Sequence, residues 1–150
     1  MYISLKKINV ALCALVFGIL AINATAASTK PSVQVLVSFS MPQQLLSQTL
    51  VNAADLQIPA VLNGLHHNSM PETVELIGML SNAIPDLQLQ IDPTVFERFD
   101  VQQVPALVVS RSDCFDVIYG HLTLQEGLDR IVQHGSCGFT KEILQELIHE

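Results

Sequence analysis

The chain has 150 residues, enough for one domain with a sizeable core. Its 49% hydrophobic and 14% charged content exclude a disordered chain. A net charge of −7 excludes the basic patch that nucleic-acid binding needs.

The first stretch has the layout of an export signal. Lys6 and Lys7 form a basic start, Ile8 to Ile22 is apolar, and Ala24-Thr25-Ala26 offers the small residues a signal peptidase needs. Residues 1–26 are therefore expected to be a cleaved signal peptide. The apolar run is shorter than the roughly 20 residues a membrane span wants, so no stable span is expected after its removal. Cleavage leaves 5 basic residues against 14 acidic ones. Cys13 falls within the signal, leaving Cys114 and Cys137 in the exported chain.

Val33 to Phe39 is an apolar run rich in β-branched residues, the pattern of a strand covered on both faces. Ser40-Met41-Pro42-Gln43 then reads as a helix start, with Ser40 and Gln43 as a capping box and Pro42 in the first turn. This places Met41 at a surface elbow. Leu45, Leu46, Thr49, Leu50, Ala53 and Ala54 follow at helical spacing. Ile58 to Leu62 reads as a second strand, with Asn63-Gly64 breaking it. Ser69-Met70-Pro71-Glu72 repeats the elbow pattern and opens a helix whose face carries Val74, Ile77, Leu80 and Ile84.

Leu87 to Ile91 alternates apolar and polar, as a half-buried strand does. Asp92-Pro93 predicts an N-cap and a short helix through Phe96 and Phe99. Val104-Pro105-Ala106-Leu107-Val108-Val109 is a proline-led strand, Arg111-Ser112-Asp113 a hairpin turn, and Cys114 to Tyr119 the return strand. Thr123 and Glu126 predict a capping box for a helix burying Leu124, Leu128, Ile131 and Val132, with Gly135 at its end. The last segment is amphipathic through Ile143, Leu144, Leu147 and Ile148. Alternating strands and helices followed by a hairpin predict an α/β fold with a mixed sheet.

Candidate chemistry is sparse. His66-His67 has no nearby third ligand in sequence, and His121, His134 and His149 show no ligand spacing, so no metal is expected. There is no glycine-rich phosphate loop, no cofactor is expected, and Ser40 has no histidine base close in sequence.

The layout resembles a thioredoxin-like fold, most specifically at Ile91-Asp92-Pro93, Phe99 and Val104-Pro105-Ala106-Leu107-Val108-Val109. The resemblance implies a mixed sheet flanked by helices, with an inserted helix and a C-terminal amphipathic helix. It also implies a cis peptide at Val104–Pro105, facing the start of the first helix. A redox Cys-x-x-Cys pair would occupy the elbow in such a fold, and Ser40-Met41-Pro42-Gln43 stands there instead. A thiolate is the nucleophile of disulfide exchange, so no enzyme activity is expected. Ser40, Met41, Pro42, Val104 and Pro105 are then the candidate partner-contact corner.

The chain further resembles the TrbC-type pilus assembly proteins of F-type conjugative transfer systems. The residues that carry this are Val37-Ser38-Phe39-Ser40-Met41-Pro42, the Asn63-Gly64 loop, Ile91 to Phe99, Val104 to Val109, and Gly120 with Leu124. Asn63 is a departure, since the family's pattern leads one to expect arginine before the glycine. The resemblance implies a domain over 33–136, a helical tail over 137–150, and a periplasmic factor needed for pilus assembly. Other envelope proteins of the transfer system, TraW-type proteins among them, are the implied partners, with pilin a further candidate. A periplasmic thiol–disulfide oxidoreductase or isomerase, and a general chaperone of the same fold, are the alternatives. In this fold the last helix returns toward the hairpin, so Cys114 and Cys137 are expected to form a structural disulfide. Free or intermolecular thiols and a catalytic pair are the other readings.

Overall fold

A computed structural model describes residues 30–120 and 122–148. The expected signal peptide and Cys13 lie outside the described residues. β1 (Ser32–Val37) leads into α1 (Gln43–Asp55), β2 (Ala60–Leu62), α2 (Met70–Ala83), β3 (Leu89–Ile91) and α3 (Pro93–Arg98). β4 (Ala106–Arg111), β5 (Cys114–Tyr119), α4 (Leu124–His134) and α5 (Lys141–Leu147) complete the order. The five strands form one sheet in the order β3-β2-β1-β4-β5. β1 pairs parallel with β2, and β2 with β3. β4 is antiparallel to β1 and to β5. This is the thioredoxin-like arrangement.

β1 is central because its C-terminal half, Val35 to Val37, is buried on both faces. Val33, Val35 and Val37 enter the larger core with residues of α1, α4 and α5. Leu36 points to the other face, with Val61, Val95, Phe96, Phe99 and Val108. The period of two in a strand sends neighbours to opposite faces. Helices therefore cover both sides, and α3 supplies Val95 and Phe96 to the second face.

Gly127 sets the approach of α4 to the sheet. A Cβ built there would lie 2.8 Å from Cδ2 of Leu107 on β4. The start of α4 carries the expected capping box. The Glu126 N–H donates to Thr123 Oγ1 at 3.2 Å, and Glu126 Oε2 accepts from the Thr123 N–H at 3.0 Å and from its hydroxyl at 2.9 Å. Those two donors, the backbone N–H first, hold the Glu126 pKa below the ordinary glutamate value. A depressed folded-state pKa gives stability that is present above the unfolded pKa and is lost as pH falls through the folded one. Lowering the pH below about 4.3 should therefore weaken the start of α4. Unfolding curves between neutral and acid pH check this. Glu126→Gln should be less stable than the parent at neutral pH, and the difference should shrink in acid.

Several elements depart from the sequence expectations. Ser40 does not cap α1; Pro42 is the N-cap residue, and no side chain accepts there. β2 is shorter than Ile58–Leu62 because its parallel pairing begins at Ala60. Val132 is exposed rather than buried, since α4 turns only Leu124, Gly127, Leu128 and Ile131 inward. On α2 the exposed apolar residues are Met70 (53%), Val74 (59%) and Met79 (54%), while Ile77 and Leu80 lie partly buried against the core. α5 packs on the domain: Phe139, Leu144 and Ile148 are buried in the core that contains β1.

Candidate partner-contact corner

The β1–α1 elbow is built by its own hydrogen bonds. The Met41 N–H donates to Ser38 O at 3.1 Å and closes a tight turn. The Ser38 and Ser40 hydroxyls lie 2.9 Å apart, and the Ser40 N–H donates to Ser38 Oγ at 3.2 Å. The turn drives Met41 inward, where it is 7% exposed within the larger core. Its sulfur accepts weakly from the Ser38 N–H at 3.5 Å. The expected surface position of Met41 is thus corrected: a long apolar side chain at this turn gains more from the core than from solvent. Ser40 and Pro42 remain exposed, and Phe39 is half-buried.

Val104–Pro105 is a cis peptide. Val104 is half-buried and Pro105 is buried. Pro105 lines a cavity of about 340 Å³ between α1 and the start of α4, with Gln48, Asn52, Thr123 and Glu126 among its walls. Ser40 lines a different cavity of about 250 Å³, shared with Phe39, Asn63, Gly64 and His66. The elbow thus opens toward the β2–α2 loop, and the proline opens toward the groove between α1 and α4. Of the expected corner residues, Ser40 and Pro42 are exposed on the elbow and Val104 is half-buried, and the elbow cavity and the Pro105 cavity share no lining residue; the loop after Asn63 is the elbow's neighbour. That loop is brought in by the parallel pairing of β1 with β2, which ends both strands at one edge.

The two exported cysteines stand elsewhere. Cys114 and Cys137 form a disulfide with a Cα–Cα separation of 5.8 Å. Asp116 accepts from the N–H groups of Ser136 and Cys137 at 2.8 and 3.1 Å. Arg111 donates to the Cys137 carbonyl, and its guanidinium lies 4.9 Å from the centre of the Phe139 ring. These contacts fix the end of α4 to the β4–β5 hairpin.

The pattern of the type-F conjugative transfer system pilin assembly proteins, TrbC_Ftype, matches residues 35–138. The chain belongs to that family. Periplasmic protein TrbC of Escherichia coli (strain K12) is 35% identical to it over 102 residues, 67% of this chain and 48% of that protein. The chain thus spans about half the length of this curated relative, 48%. Among solved structures, MTB DsbF in its mixed oxidised and reduced forms shares 24% identity and a TM-score of 0.46, over 70% of this chain and 81% of that one. A secreted Mycobacterium tuberculosis disulfide oxidoreductase homologous to E. coli DsbE shares 17% identity and a TM-score of 0.45, over 73% of this chain and 85% of that one. Among the described residues of the family member, no helix is long and apolar enough to cross a membrane.

Proposed function

We propose that this chain is a periplasmic, non-enzymatic assembly factor for the conjugative pilus of an F-type type IV secretion system, acting in plasmid transfer through protein contacts. Family membership over residues 35–138 carries the reading. The export signal read in residues 1–26 and the periplasmic relative support the compartment. The cysteine-free elbow supports contact rather than redox chemistry: Ser40 and Pro42 stand exposed where a thiolate would have to act. The proposed partners are other transfer envelope proteins, TraW-type proteins among them, with pilin as a further client. An extended partner segment along the exposed Ser40 and Pro42 is the contact this elbow suits.

Deleting the gene from conjugation-competent cells should abolish pilus assembly and plasmid transfer, and the native chain should restore both. Pro42→Arg should leave stability within about 1 kcal/mol of the parent, since Pro42 is exposed. It should nevertheless reduce recovery of envelope partners in a pull-down from those cells. Unchanged transfer in the deletion strain would sink the pilus reading. Recovery of general unfolded clients alone would favour a chaperone, and thiol-dependent insulin reduction would restore an oxidoreductase.

A further inference from the structure

We propose that His66, His67 and Glu72 form a binding site for one divalent transition-metal ion of the zinc class, on the loop between β2 and α2. This goes beyond the pilus reading and does not rest on it. In sequence the histidine pair lacks a third ligand. In the structure Glu72 supplies it: one donor atom from each of the three residues lies within 4.8 Å of the others. His67 Nδ1 is 3.0 Å from Glu72 Oε2, and the His66 and His67 ring centres are 3.8 Å apart. Zinc bonds to nitrogen and oxygen of roughly 2.0–2.2 Å put tetrahedral donors about 3.3–3.6 Å apart. Small rotations of the side chains close the set around an ion.

The backbone brings the ligands to one side. His67 and Asn68 have φ of 48° and 56°, in the left-handed region, within the 3₁₀ turn His66–Asn68. That curl stacks two imidazoles that an extended backbone would send apart. The loop is also tied to α2. The His66 N–H donates to Thr73 Oγ1 at 2.9 Å, and the Thr73 hydroxyl donates to Ser69 O at 2.7 Å. Thr73 is fully buried, so this link is shielded from water. The Ser69 N–H donates back to His66 O at 2.9 Å, and Ser69 Oγ accepts from the Glu72 N–H at 3.4 Å. The Phe39 ring stands edge-on to His66 at 5.4 Å. All three ligands are therefore held on one hydrogen-bonded frame, which lowers the ordering cost of binding.

Donor chemistry chooses the metal class. Two imidazoles and one carboxylate suit zinc, copper and nickel, whereas magnesium and calcium favour oxygen sets. The side chains of His67 and Glu72 are 73% and 52% exposed, so an ion enters from solvent and water completes its shell. The site lies beside the cavity that Ser40 and Phe39 line. A bound ion would fix that wall of the elbow.

The test uses the protein purified without a polyhistidine tag and stripped with chelator. Titration with ZnCl2 by calorimetry should give one ion per chain, and ring-nitrogen NMR should show the His66 and His67 signals moving together. Calcium and magnesium should give no binding. His67→Ala and Glu72→Gln, both at exposed positions, should each weaken zinc binding by about tenfold or more while circular dichroism stays as in the parent. Absence of zinc binding, or binding that both variants leave unchanged, overturns the proposal. Loss of transfer function would not bear on it, and a failed pilus assay would leave the titration intact.

Discussion

Replacing Cys114 and Cys137 together by alanine should lower the unfolding free energy by about 3 kcal/mol. The bond joins residues 23 apart, and closing a loop of this length restricts the unfolded chain more than the folded one. The folded state should survive the change. Arg111 and Asp116 still hold the Cys137 segment through its carbonyl and amide, and Phe139 stays buried. Loss should therefore be uneven. Amides from Cys137 to Ile148 should exchange faster than those of β1, because that segment hangs on the hairpin at the site of the bond. Denaturant unfolding with and without reductant checks the size: the native chain should lose stability on reduction and the double variant should not respond. Equal midpoints for the native chain in both conditions would show that the bond adds nothing to stability.

The sheet was legible because its signals are local. The apolar run of β1, the Asp92-Pro93 start of α3 and the Thr123–Glu126 box each act within a few residues, and each behaves as its chemistry requires. The pair of Ser-Met-Pro segments shows where local signals stop. At Ser69-Met70-Pro71-Glu72 the serine caps α2 and Met70 is exposed at 53%. At Ser40-Met41-Pro42-Gln43 the serine turns to Ser38 instead, α1 begins at Gln43, and Met41 is buried. The tetrapeptides barely differ, so the local cap energy is similar. What differs is the core beside the elbow, which rewards burial of Met41 and overrides the capping preference. Tertiary packing of this kind leaves no mark on a short window. Glu72 escaped notice as a partner of the histidines for a related reason: left-handed residues, which sequence spacing does not reveal, curl the loop back on the helix start.

Met41→Ala should cost about 3 kcal/mol, the usual range for emptying a buried methionine site being about 2–5. Met41→Leu should cost less than about 1.5, because volume and apolarity are nearly kept. Met41 is 7% exposed and sits in the core with Leu46 and Leu50, so truncation leaves a void beside the start of α1. The pair of variants separates two roles that a single substitution confuses. If Met41 works through packing, partner recovery with Met41→Ala should fall in step with the folded fraction, and Met41→Leu should restore both. Pro42→Arg, by contrast, should lose partner recovery with the fold intact. Chemical unfolding of Met41→Ala is the deciding measurement. A loss below about 0.5 kcal/mol, the scale of a surface change, would put the methionine back at the surface and make it a direct contact. A loss of the expected size leaves the contact to Ser40 and Pro42, the exposed part of a turn that the buried methionine holds in shape.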